Sequence, residues 1–138
     1  QRQLAQRVGM SPPAIGERIA RLERHGVIRG YTIDVDWAAV GRPVLVYIPM
    51  TIAAGSDLEQ LVEDLRAIPE LDELTVVTGG YDLMARFRLR DHAHLQELLL
   101  DRLYPIPGLR RFETFLSLGE IPASTRLAER LAEEAPGS

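Results

Sequence analysis

Between residues 44 and 118 the apolar residues change spacing in one fixed order, and that order narrows the fold more than any other feature. Val44, Val46, Ile48, Met50 and Ile52 recur at every second position and predict a strand over 44–53. Leu58, Leu61, Val62, Leu65 and Ile68 recur at helical spacing and predict a helix over 57–68, which Pro69 ends. A second strand is expected over about 71–78, and Gly79-Gly80 forms a turn. In a third strand, 81–90, Leu83, Ala85, Phe87 and Leu89 face one way and Arg86, Arg88 and Arg90 the other. Leu95, Leu98, Leu99 and Leu103 mark a helix over about 93–104. A last strand over 111–118 places Phe112, Thr114, Leu116 and Leu118 on one face. The order βαββαβ predicts an α+β, ferredoxin-like split βαβ domain with both helices on one sheet face. Pro49 has no amide hydrogen to give a ladder, so it implies an edge, a bulge or an early strand end. The opposite sheet face carries Tyr47, Val77, Met84 and Phe115, an apolar patch that predicts a homodimer packed sheet to sheet.

The N-terminal segment reads differently. Residues 2–8 predict a short helix with Leu4, Ala5 and Val8 on one face, broken by Gly9. Ser11 offers a hydroxyl as helix N-cap and Pro12 suits the first helical position. The helix that follows runs to about residue 25, with Ile15, Ile19 and Leu22 on one face, Arg18, Arg21 and Arg24 largely off it, and Gly26 as its stop. A helix-turn-helix needs a small residue where the helices touch, a glycine at the turn and a branched apolar anchor on the second helix. Ala5, Gly9 and Ile15 meet those demands, and Leu4, Val8 and Met10 supply the surrounding core. An ordinary helical hairpin meets them too. Residues 31–36 alternate like a short strand, and 37–43, with Gly41 and Pro43, read as a linker. The chain is thus expected to divide into a DNA-binding segment (1–36), a linker (37–43), the ferredoxin-like domain (44–122) and a tail (123–138) holding a short surface helix.

Charge supports that division. Residues 1–30 hold six arginines against two glutamates, whereas the remainder holds ten arginines against eighteen acidic residues. A basic end that suits a polyanion is joined to an acidic body. With no cysteine there is no disulfide and no thiolate chemistry. No stretch is long and apolar enough to cross a bilayer and no signal peptide opens the chain, so a cytoplasmic protein is expected. No cofactor is expected. Ferredoxin-like acylphosphatases pair an arginine with an asparagine, and this chain has no asparagine; no activated nucleophile stands out, so it is not expected to be an enzyme. His92 and His94 diverge at that spacing on a helix, so they predict solvated helix-start residues and no metal site. His25, near a helix C-terminus, reads as capping or solvated.

The run Ser11-Pro-Pro-Ala-Ile, then Arg18, Arg21-Leu22-Glu23 and Gly26-Val-Ile-Arg-Gly-Tyr31, strongly resembles the Lrp/AsnC, or feast/famine, family of transcription regulators. The resemblance covers nearly the whole chain. It implies a winged helix-turn-helix followed by a βαββαβ effector domain, and an assembly of dimers, tetramers of dimers (an octamer) or open spirals. It also implies one more helix before Gln1; a chain opening on Gln rather than Met fits residues missing upstream, and the DNA-binding unit is then partial. Two positions depart from the pattern: Gly16 lies within the recognition helix, where glycine costs about 1 kcal/mol against alanine, and Glu17 is acidic where many relatives are basic or neutral. In double-stranded DNA, Ser11 and the helix N-terminus suit a phosphate. Pro13, Ala14, Glu17 and Arg18 are placed to meet base edges, and Arg21 to hold backbone phosphate.

Thr78-Gly79-Gly80-Tyr81-Asp82 is the second informative run. Glycines expose amides that bind a carboxylate, and Asp82 can take an ammonium, which together suit a small zwitterion. A plain hairpin turn accounts for the glycines equally well. The run is similar to the family's glycine-x-tyrosine-aspartate loop, matched here by Gly79, Tyr81 and Asp82, and the resemblance implies an amino-acid effector bound between neighbouring dimers. The last strand near Thr114 and Ser117 is a candidate contributor from a neighbouring subunit. The alternative is a stand-alone amino-acid-binding module without DNA binding, and the basic N-terminal segment argues against it.

Overall fold

The strands form where the period of two predicts them, and their pairing follows from which face each buries. A computed structural model describes residues 12–26, 29–30 and 34–134. Within them, β1 (Val44–Ile52), α2 (Leu58–Arg66), β2 (Leu71–Val76), β3 (Leu83–Leu89), α3 (His92–Glu97), β4 (Leu109–Phe112) and β5 (Phe115–Leu116) follow α1 (Pro12–Arg24) and precede α4 (Leu127–Glu134). The chain divides into two compact units, Gln1–Asp34 with Glu120–Ser138, and Val35–Gly119.

In the second unit the sheet order is β2-β3-β1-β4, with β5 also on β1 and every pairing antiparallel. This is the order a split βαβ requires. Val46, Ile48, Met50, Leu83, Ala85, Phe87 and Leu89 are buried on one sheet face together with Leu61, Leu65, Leu98 and Leu103. Each large side chain so buried contributes about 1.5–3 kcal/mol. Asp57 caps α2 by accepting from the Gln60 amide at 3.1 Å. Leu58, expected inside, is exposed, because the first turn lies at the rim of the sheet-facing stripe.

Other expectations need revision. β1 is a central strand and runs straight through Pro49, which lies opposite Met84 of β3. The irregularity falls on the partner instead. The last strand breaks into β4 and β5 at Glu113–Thr114, opposite the proline, where the Glu113 amide donates to the Pro49 carbonyl at 3.2 Å. Pro49 returns no amide bond to that side. Thr114, Leu116 and Leu118 are therefore exposed and only Phe112 of the four packs against the core. The second helix changes character: α3 passes into a π-helical turn, Leu98–Leu103, closed by the Tyr104 amide donating to the Leu99 carbonyl at 3.0 Å. The wider turn brings both Leu98 and Leu103 onto the core.

Residues 37–40 form a turn, with the Ala39 amide on the Asp36 carboxylate at 3.3 Å, and Asp34–Asp36 form no strand. The segment 37–43 is anchored within the second unit: the Arg88 guanidinium lies 4.9 Å from the Trp37 ring centroid, and Arg42 donates to His94 Nδ1 at 3.1 Å. The expected helix over 2–8, the Ser11 cap, Val27, Ile28 and the start of the 31–36 strand lie outside the described residues. In the first unit α1 packs with α4, whose Glu129 and Ala132 are buried.

Candidate functional site

Two places carry the chemistry expected of the chain. The first is α1. No acidic side chain occupies its first turn, which leaves the positive end of the helix dipole without a carboxylate from the helix itself. Pro13 and Glu17 are exposed; Ala14, Arg18 and Arg21 are partly buried. Arg21 pairs with Glu17 one turn back at 3.3 Å, an exposed contact of about 0.3–0.5 kcal/mol that DNA phosphate can displace. Arg18 Nη1 donates to the Ala132 carbonyl of α4. Ser11 lies outside the described residues.

The second is the loop between β2 and β3. Thr78, Gly79, Gly80 and Asp82 are exposed and Tyr81 is half-buried. Gly79 has φ +117°, a conformation only glycine adopts readily, and a Cβ at Gly79 or Gly80 meets nothing within 4 Å. Among the described residues neither glycine amide has a hydrogen-bond partner. The loop is nailed to the end of β1: the Asp82 amide donates to the Met50 carbonyl at 2.9 Å, and Asp82 Oδ2 accepts from the Ile52 amide at 2.8 Å. Asp82 therefore has a structural duty as well as the ammonium-binding one expected of it, with Oδ1 left for a ligand. The Tyr81 hydroxyl donates to Glu113 Oε2, and that bond is the main reason its pKa is raised above the ordinary 10.0. The Arg111 guanidinium lies 5.5 Å from the Tyr81 ring centroid. Thr114 is exposed, while Ser117 is partly buried, its amide donating to Leu45.

Sequence reasoning missed Arg111 and Glu113. The signal was their alternation with Phe112, which puts them together on the sheet face opposite the helices. It also misjudged His94. Only His92 is solvated; His94 is 3% exposed, with Nε2 on Glu70 Oε1 at 3.0 Å and Nδ1 accepting from the Arg90 amide at 3.0 Å. Its place one turn before Leu98 marked it as core-facing. Glu70, His94, Glu97, Leu98, Asp101 and Arg102 line a hollow of about 320 Å³. Among the described residues no group of three or more histidines or acids is placed to hold a metal ion. No described helix is long and apolar enough to cross a membrane.

A basic helical unit joined to a ferredoxin-like domain with an amide-rich loop defines a two-part, DNA-binding and ligand-binding protein. Residues 44–127 match the Lrp/AsnC ligand binding domain, and residues 1–29 match a winged helix-turn-helix DNA-binding model. The chain is 32% identical over 127 residues to the leucine-responsive regulatory proteins of Escherichia coli and Klebsiella pneumoniae, covering 91% of this chain and 77% of theirs. E. coli AsnC superposes with a TM-score of 0.70 at 26% identity, covering 90% of this chain and 83% of that one. A feast or famine regulatory protein from M. tuberculosis, complexed with L-methionine, gives 0.68 at 25% over the same shares. The chain belongs to the Lrp/AsnC family of DNA-binding transcription regulators. The match over residues 1–29 decides against a stand-alone ligand-binding module.

Proposed function

We propose that this regulator binds an α-amino acid at the Gly79–Asp82 loop, and that binding changes how copies of the chain assemble on double-stranded DNA. The observation that carries the reading is the pair of exposed glycines whose amides have no hydrogen-bond partner among the described residues, in the same loop as the exposed Asp82 carboxylate. Amide donors suit the ligand's carboxylate and Asp82 Oδ1 its ammonium. The names and ligands of the relatives, leucine-responsive proteins and a methionine complex, support the same class. Pro13, Ala14, Glu17 and Arg18 read base edges, while Ser11 and Arg21 hold phosphate. The protein acts in the cytoplasm as a homodimer or a higher assembly such as an octamer, without cofactor, metal or catalysis.

Gly80 separates ligand binding from folding, because its φ is not positive and its side-chain direction is empty. A thermal-shift screen of the standard amino acids is expected to raise the wild-type melting temperature with at least one of them. Gly80→Leu keeps the ligand-free melting temperature and loses that shift. A wild type indifferent to all of them overturns the reading. Asp82→Ala is the poorer probe, since it also removes the acceptor of the Ile52 amide.

A further inference from the structure

We infer that Arg111 of β4 recognises the carboxylate of the effector, and that Glu113 is a positioning residue which holds Tyr81 against it; this rests on the amino-acid reading above. Three elements converge at this point of the second unit. The loop ends at Tyr81 and Asp82, both tied to the last residues of β1 or to the strand beyond it. β4 lies antiparallel to β1 with Arg111 opposite Thr51, and the Thr51 hydroxyl donates to the Arg111 carbonyl at 3.4 Å. The break opposite Pro49 leaves Glu113 outside the regular ladder but fixed by its amide, and its carboxylate accepts from the Tyr81 hydroxyl.

Arg111 and Glu113 thus flank one tyrosine ring. Glu113 holds the hydroxyl through Oε2, and the guanidinium of Arg111 stands over the ring. Arg111 is exposed, and besides the ring its guanidinium reaches the Tyr81 hydroxyl, which leaves its remaining donors open to water. A guanidinium has five donors, so one that meets a tyrosine still presents a fork to a planar anion, and a carboxylate matches that fork bidentately. Tyr81, under that guanidinium, is flanked in sequence by Gly80 and Asp82, so the same loop brings glycine amides, also carboxylate donors, and Asp82 Oδ1, an ammonium acceptor. The loop and β4 thus offer both signs a zwitterion needs, the amides and Arg111 for its carboxylate and Asp82 Oδ1 for its ammonium, while Glu113 is engaged by the Tyr81 hydroxyl. An amino-acid amide lacks the anion that Arg111 answers, so the guanidinium discriminates between a free amino acid and a neutral derivative.

The test compares L-leucine and L-methionine with leucinamide and methioninamide by calorimetry on the full chain. Wild type is expected to prefer an amino acid over its amide. Arg111→Gln keeps the ligand-free melting temperature, weakens amino-acid binding about 10–100-fold and loses most of that preference. Arg111→Lys, which retains the charge, recovers part of it, and Glu113→Gln weakens the amino acid less than Arg111→Gln does. Amino-acid binding by wild type with the preference unchanged in Arg111→Gln overturns this inference and leaves the proposed function standing. Wild type that binds no standard amino acid overturns both.

Discussion

Glu70 shows how one residue couples burial, charge and pH. Burial acts to raise its pKa, but the hydrogen bond with His94 Nε2, its own backbone amide and the nearby Arg102 outweigh that, and the carboxyl sits below the ordinary 4.5. His94 accepts from the Arg90 amide and Arg42 at Nδ1, which places the ring proton on Nε2 and directs it at Glu70. A depressed folded pKa means the contribution is complete above the unfolded value of 4.5 and is lost as pH falls through the folded one. Glu70→Gln is expected to cost about 1–3 kcal/mol at neutral pH. The deficit relative to wild type should shrink as the pH is taken below 4.5, read from urea unfolding across that range. A pH-independent deficit would show that the charge on Glu70 contributes nothing.

At the scale of elements, α1 is the proposed reader of DNA. Arg18 donates to the Ala132 carbonyl, so to reach a base edge it exchanges that partner for a guanine or phosphate acceptor. Arg18→Ala is expected to weaken operator binding by about 1–3 kcal/mol and to relax base preference, as seen by footprinting and titration at fixed salt. An unchanged affinity and footprint removes Arg18 from the interface. The elements themselves were largely legible, because periods of two and of 3.6 are imposed by the backbone and survive in composition; the alternation in β3 is the clearest case. What stayed hidden depends on partners distant in sequence. The split of the last strand needs Pro49, more than sixty residues earlier. The spacing to Leu98 marks His94 as core-facing, but its partners Glu70 and Arg42 are named by no local pattern. The loop was legible as glycines and an aspartate, but not that Asp82 also secures the end of β1.

For the whole molecule, the sheet face away from the helices keeps apolar side chains exposed among the described residues. Tyr47 is 36% and Phe115 51% exposed, and they pair across β1 and β5. Apolar neighbours open to water favour association of copies. Tyr47→Asp with Phe115→Asp is expected to shift the assembly towards monomer in sedimentation velocity while the far-ultraviolet dichroism is retained; an unchanged sedimentation coefficient would locate the contact elsewhere. The proline at the middle of β1 has one more consequence. Position 49 gives no amide resonance, so in magnetic resonance or hydrogen exchange that one point of β1 is silent. The Glu113 amide, bonded to the Pro49 carbonyl, speaks for it. That single proton belongs to the residue that grips Tyr81, and its exchange rate is a built-in readout of whether loop and last strand hold together when a ligand arrives.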